Sequence, residues 1–344
     1  MSHIKILITG GGAPGAAGII KCLKQDSGFF VIAVDANSNA IGKYLADEFI
    51  PIPKADDPLF IEAFLKVCKE HQPDLLLPLV TKELPYLAAN KELFENAGVK
   101  VLISNVTALE IANDKGQLYQ FLQWRGIAVP EFQIVENRLQ FEEAAKILNY
   151  PLKNICFKPC ISNGSRGFRI ISKDVDELDL LFNHKPNATY ISYHDVIRIL
   201  ASGHFPQLLV SEYLPGEEYS VDCVANHGNA FLIVPRLRKK TINGITVEGT
   251  YLKNDPIIEY CKQIIKELNL HGNIGIQVKK ADNGRFLILE INPRVQGTIA
   301  AALGAGVNLP LIAIKQELGI TILPEELNVK WGTGFSRHWS EVFY

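Results

Sequence analysis

A chain of 344 residues, 47% of them hydrophobic and 21% charged, has enough apolar content for two or three cores and is too long for one ordinary domain. Its net charge of -2, with acids and bases interspersed, excludes a strong electrostatic hold on nucleic acid or anionic membrane. Six cysteines, mostly far apart and without zinc or redox spacing, are expected as reduced thiols. The N-terminus "MSHIKILITG" shows neither a signal peptide nor an apolar run of membrane-spanning length, so a cytoplasmic protein is expected.

Residues 4 to 105 alternate short apolar runs with helical patterns: "IKILITG", "AAGIIKCLKQ", "FFVIAVDA", "LFIEAFLKVCKEH", "DLLLPLV", "ELPYLAANKELFENAG" and "VKVLISN". Continuous apolar strands separated by helices of about ten residues predict a parallel sheet with crossover helices, a Rossmann-like α/β domain. Within it, Gly10, Gly12 and Gly15 fit G-x-G-x-x-G, and Asp35 closes the next apolar run, the written form of a dinucleotide-binding fingerprint. Three glycines satisfy that pattern in any tight strand-to-helix turn, and Pro14 removes one of the backbone donors a pyrophosphate would use. The loop is therefore expected to be structural, with no NAD bound.

After "DKGQLYQFLQWRGIAVP" strands follow strands: "ICFKPC", "SRGFRIIS", "QLLVSEYL", "EEYSVDCVANHGNAFLIVPRLRKK". Asn226-His227-Gly228-Asn229 has the chemistry of a hairpin turn, which predicts antiparallel pairing and an α+β region. A helix, "PIIEYCKQIIKELNL", precedes a hairpin, "IGIQVKKADNGRFLILEINPR", turning at Asp282-Asn283-Gly284. A closing stretch rich in Ala and Gly reads as helical.

Period-two alternation places Glu290 and Asn292 side by side on the returning strand, with Gln277 on the partner strand. Hard oxygen donors in that pattern suit Mg²⁺ held by few protein ligands plus water and phosphate. The polar pair interrupts the otherwise apolar run "FLILEIN", which a merely solvated strand face would not require.

"LEINPR" behind this hairpin resembles the metal-binding end of the ATP-grasp superfamily, in particular one synthetase unit of the carbamoyl-phosphate synthetase large subunit. The resemblance implies Glu290, Asn292 and Gln277 for Mg²⁺ or Mn²⁺ and Arg294 on the transferred phosphoryl group. "FKPC" with "ISNGSRGFRI" is similar to the family's strand lysine and glycine-rich loop. This implies that Lys158 meets the α- and β-phosphates while Ser162, Asn163, Gly164, Ser165 and Gly167 close over them. "NDKGQLYQ" implies a second phosphate contact from Lys115. "LLVSEYLPGEEYSVDCV" resembles the adenine hinge, with Glu212 on the amino group, the Tyr213 and Leu214 backbone on the ring edge, and Glu218 on the ribose. In the basic run "PRLRKK", Arg236 is assigned to polyphosphate. His184, His194 and His204 are expected to be bystanders.

The resemblance covers essentially the whole chain. It implies a pre-ATP-grasp domain over residues 1–112 and an ATP-grasp of two subdomains over 113–344, with a lid at about 128–212. The activity implied is an ATP- and magnesium-dependent carboxylate–amine ligase that works through an acyl-phosphate, with small-molecule substrates as partners and a homodimer as the assembly to test. Substrate contacts are expected from "PLVTKELPY" and "VQGTIAAA". Two rivals remain at this point: an NAD-dependent oxidoreductase using the N-terminal glycines, which explains residues 10 to 35 alone, and an ATP-binding regulatory protein without turnover.

Overall fold

A computed structural model describes residues 3–344 except 163, 165, 184–188, 243 and 339. The N-terminal strands β1 (Ile4–Ile8), β2 (Phe29–Asp35), β3 (Glu48–Pro51), β4 (Leu75–Leu77) and β5 (Lys100–Val101) form one sheet in the order β3-β2-β1-β4-β5. The described pairings within it are parallel, β1 against β2 in register Ile4↔Phe29 and β1 against β4 in register Ile6↔Leu75. Both faces are covered, which is why these strands read as unbroken apolar runs. One face packs with helices Ala16–Leu23 and Leu309–Leu318, and the other with helix Phe60–His71.

A second sheet joins β6 (Phe132–Val135), β7 (Ile155–Pro159), β8 (Arg169–Ile171) and β9 (Leu208–Glu212) in the order β6-β9-β7-β8, antiparallel at each described pairing. Helix Arg138–Ile147 and helix Tyr193–Leu200 supply its core through Phe141, Ala144, Ala145 and Val196. A third sheet orders β10 (Glu218–Asn226), β11 (Asn229–Ile242), β12 (Ile245–Tyr251), β13 (Gly272–Lys280), β14 (Phe286–Asn292) and β15 (Gly334–Ser336) as β14-β13-β10-β11-β12-β15. The β10–β11 hairpin turns at His227 (φ 44°) and Gly228 (φ 81°) with Asn226 facing Asn229. Two positive φ values in a two-residue loop make the tight turn whose twist matches the flanking strands.

The chain divides into two compact units that are not contiguous in sequence. Unit 1 takes 1–110, 218–278 and 291–344; unit 2 takes 111–217 and 279–290. The tip of the β13–β14 hairpin thus belongs to unit 2 and the strand ends to unit 1. The expected parallel and antiparallel regions both appear, so the fold class is as read from the sequence. All six cysteines are buried and unbridged. Among the described residues no helix is long and apolar enough to cross a membrane.

Candidate active site

The residues of unit 2 gather around the tip strand, Leu287 to Glu290. Asp114 caps helix Lys115–Trp124, accepting from Gly116 N at 2.9 Å and Gln117 N at 3.0 Å, and so aims the first helical residue, Lys115. A side chain added at Gly116 would meet Cys160 Sγ at 2.9 Å, so glycine lets the helix start lie close to the end of β7. Lys115 is only 5% exposed. Its Nζ donates to the Ser162 carbonyl at 2.7 Å and lies 3.6 Å from Glu290 Oε2.

Lys158, on β7, donates to the Leu289 carbonyl at 2.7 Å and stands 5.7 Å from the centre of the Tyr119 ring. The Tyr119 hydroxyl donates to the Ile288 carbonyl at 2.7 Å. Two ammonium groups therefore converge on adjacent residues of β14, beside the Glu290 carboxylate, and positive charge in a partly desolvated setting suits an anion. In the loop after β7, Gly164 and Gly167 have φ of 64° and 78°, and a Cβ on Gly167 would approach Pro159 to 2.6 Å. Asn163 and Ser165, assigned to phosphate, lie outside the described residues.

At the end of β9, Glu212 accepts from Glu131 N through Oε1 at 2.9 Å. The Tyr213 amide donates to the Asn154 carbonyl at 3.2 Å, so an adenine edge cannot use that donor in this arrangement. Leu214 is buried with Ala281 and Leu287, and the Pro215-Gly216 turn is tied to β13 by Gly216 N donating to the Lys280 carbonyl at 3.0 Å.

In unit 1, the neighbouring strands β13, β10 and β11 bring Gln277, Glu218 and Arg238 together. Arg238 is an ion-pair partner of Glu218, donates to Gln277 Oε1 at 3.1 Å and to the Gly244 carbonyl at 2.7 Å, and its side chain is 6% exposed. Gln277 was expected to join the metal set; its oxygen accepts from a guanidinium that a second cation would have to displace. Arg238 went unassigned in the sequence, although its even spacing from Arg236 places both on one face of β11.

Arg236 needs correction. It is 0% exposed, donating to Thr298 Oγ1 at 2.7 Å with Asp222 Oδ2 at 3.5 Å. It is an internal ion pair, not a polyphosphate contact, because β11 is covered on that face. Arg294 donates to Thr81 Oγ1 at 3.2 Å, to the Val295 carbonyl at 2.7 Å and to Asn292 Oδ1 at 3.3 Å. Glu290 and Asn292 occupy alternate positions of β14, and their oxygens have the chemistry that Mg²⁺ accepts.

The N-terminal glycines have structural partners. Asp35 accepts from Gly12 N and from Asn37 N, each at 2.7 Å, so both carboxylate oxygens of the supposed ribose ligand are engaged. A Cβ on Gly15 would fall 2.4 Å from Gly297 Cα. The start of helix Ala16–Leu23 is therefore packed closely against another stretch of backbone.

Residues 204–341 match the family model described as "ATP-grasp in the biosynthetic pathway with Ter operon", and residues 6–102 match "PylC-like, N-terminal domain". Over 306 residues, 86% of this chain and 26% of the relative, the sequence is 24% identical to the carbamoyl phosphate synthase large chain of Pseudothermotoga lettingae. It is 21% identical to the arginine-specific large chain of Bacillus subtilis over 80% of this chain and 25% of that one. The chain thus spans about a quarter of the length of these curated relatives. Among solved structures, N5-carboxyaminoimidazole synthetase from Staphylococcus aureus superposes with a TM-score of 0.68 at 18% identity, covering 96% of this chain and 81% of that one. Biotin carboxylase from Campylobacter jejuni, solved as a complex with β,γ-ATP, gives 0.69 at 20%, covering 96% and 74%.

Proposed function

Because the chain carries an ATP-grasp domain behind a PylC-like N-terminal domain, we propose that it is an ATP- and Mg²⁺-dependent ligase that activates a small carboxylate as an acyl-phosphate for attack by an amine. The observation that carries this reading is the convergence of Lys115 and Lys158 on Leu289 and Glu290 within β14. On this reading those ammonium groups bind the nucleotide phosphates and the glycine-rich segment after β7 closes over them. Glu212 and Leu214 take the adenine, and Glu218 the ribose once Arg238 releases it.

The reaction needs no covalent nucleophile from the protein. The substrate carboxylate oxygen attacks the γ-phosphorus in line and ADP leaves; the amine nitrogen then attacks the acyl carbon and inorganic phosphate leaves. Lys158 and Arg294 stabilise charge on the transferred group, and such preorganised contacts supply most of the rate in phosphoryl transfer. Glu290 and Asn292 would hold Mg²⁺, which would supply charge neutralisation for the phosphates.

The similarities support the reading: one relative is a carbamoyl phosphate synthase large chain, and a biotin carboxylase of the same fold was solved as a complex with β,γ-ATP. Calorimetry with ADP and Mg²⁺ tests it. Lys158→Ala should lose affinity markedly against wild type, while NAD(H) should show no binding on the same sample. Unchanged ADP affinity, or tight dinucleotide binding, would remove the assignment.

A further inference from the structure

In unit 1 the strand order reverses between β1 and β4. Open α/β sheets take ligands at that point, outside the carboxyl ends of the strands. The segment leaving β4, Pro78 to Glu83, lies there, and it ends in a carboxyl group that nothing in the nucleotide or metal assignments uses. Glu83 is 8% exposed. The Thr9 hydroxyl, at the end of β1, hydrogen-bonds its carboxyl group while accepting from Leu79 N at 3.0 Å. Glu83 Oε2 has no hydrogen-bond partner among the described residues.

A buried carboxylate oxygen without a partner is costly, and proteins keep one chiefly where a ligand supplies what is missing. The charge nearby selects that ligand. Asp35, at the end of β2, adds a second negative field at Glu83. On the same segment Lys82 is exposed, and Arg294 spends its Nε on Thr81 at 3.2 Å. An anion would be repelled by the two carboxylates, whereas an ammonium group would find a buried acceptor. Arg294, assigned to the transferred phosphoryl group, is tied to Thr81, two positions before Glu83.

Resting on the ligase reading, we propose that Glu83 binds the ammonium group of the amine substrate and accepts its proton as the amide forms. The N–H electron pair stays on nitrogen when the proton passes to Glu83. That pair forms the C–N bond at the acyl carbon, and the C–O bond to phosphate breaks with its electrons leaving on phosphate. The departing phosphate takes the second proton that nitrogen sheds, so charge and atoms balance. Burial, reinforced by Asp35 and opposed by the Thr9 hydrogen bond, pushes the Glu83 carboxyl up to about 7, where a general base serves neutral-pH chemistry best.

The experiment separates this role from folding and from nucleotide binding. ADP release is first screened with L-amino acids and small carboxylates, and for the pair that turns over, amide formation is compared with hydroxamate formation in hydroxylamine. Hydroxylamine is uncharged at neutral pH and needs no deprotonation before attack. Glu83→Gln should lower the ratio of amide to hydroxamate at least tenfold and flatten the rise of kcat/KM for the amine near neutral pH. ADP affinity by calorimetry should stay with wild type. Glu83→Asp, which keeps the acid, should give an intermediate ratio. Equal losses of amide and hydroxamate in both variants, or an unchanged ratio, would overturn the proposal while leaving the ligase intact. A wild-type protein that releases ADP with no pair tested would remove the ligase reading and this role together.

Discussion

Replacing Glu83 by Gln should change how stability depends on pH, by an amount that follows from the burial of this one carboxyl. In the folded protein the group is pushed to about 7 from its ordinary 4.5, so folding favours the protonated form. The stability this preference contributes is fully present below about 4.5 and is lost as pH rises through about 7. At 1.36 kcal/mol for each tenfold change, the difference amounts to about 3 kcal/mol. The Gln variant cannot titrate, so its stability minus that of wild type should grow by about 3 kcal/mol between pH 4.5 and pH 8. Every other titrating group is common to both proteins and cancels in that difference. Urea titrations of both proteins at the two pH values, followed by far-UV circular dichroism, measure it. Parallel pH profiles would refute the reasoning, because they would mean that Glu83 is solvated or already paired.

Three further outcomes are expected. Glu290→Ala should abolish ADP formation in a folded protein, since it removes the only carboxylate of the proposed metal set and leaves Lys115 without its partner at 3.6 Å; turnover by the folded variant would dismiss the role. Arg294→Met should raise the barrier to turnover by roughly 2 to 4 kcal/mol with little change in ADP affinity by calorimetry, and equal losses in both would make it a ground-state anchor. Gly15→Ala should lower the unfolding midpoint, at a cost of about 1–3 kcal/mol for overpacking, because its Cβ has Gly297 Cα at 2.4 Å; an unshifted midpoint would refute the structural account of the N-terminal glycines.

The sequence by itself determined the elements and their class. Periodicity is local, so the buried runs of β1 and β2, the antiparallel alternation and the turn at His227-Gly228 were legible one segment at a time. The same holds for Glu290 and Asn292, whose shared face follows from their spacing along one strand. "FKPC" and "NDKG" pointed to Lys158 and Lys115, but only folding brings these lysines, 43 positions apart by their numbers, onto neighbouring residues of β14. Other features depended wholly on long-range packing. Arg236 and Arg238 have the same spacing signal, yet one is locked against Asp222 and Thr298 while the other holds Glu218 and Gln277. Glu83 looks like any helix-start acid until β1 and β4 come together and the Thr9 hydroxyl meets it. Gly10, Gly12 and Gly15 spell a cofactor motif, whereas only the folded chain shows Asp35 accepting from two backbone amides and Gly15 standing where a side chain would meet Gly297. Spacing along a chain records which groups are available, whereas their desolvation and partners, which set charge and chemistry, depend on residues remote in sequence.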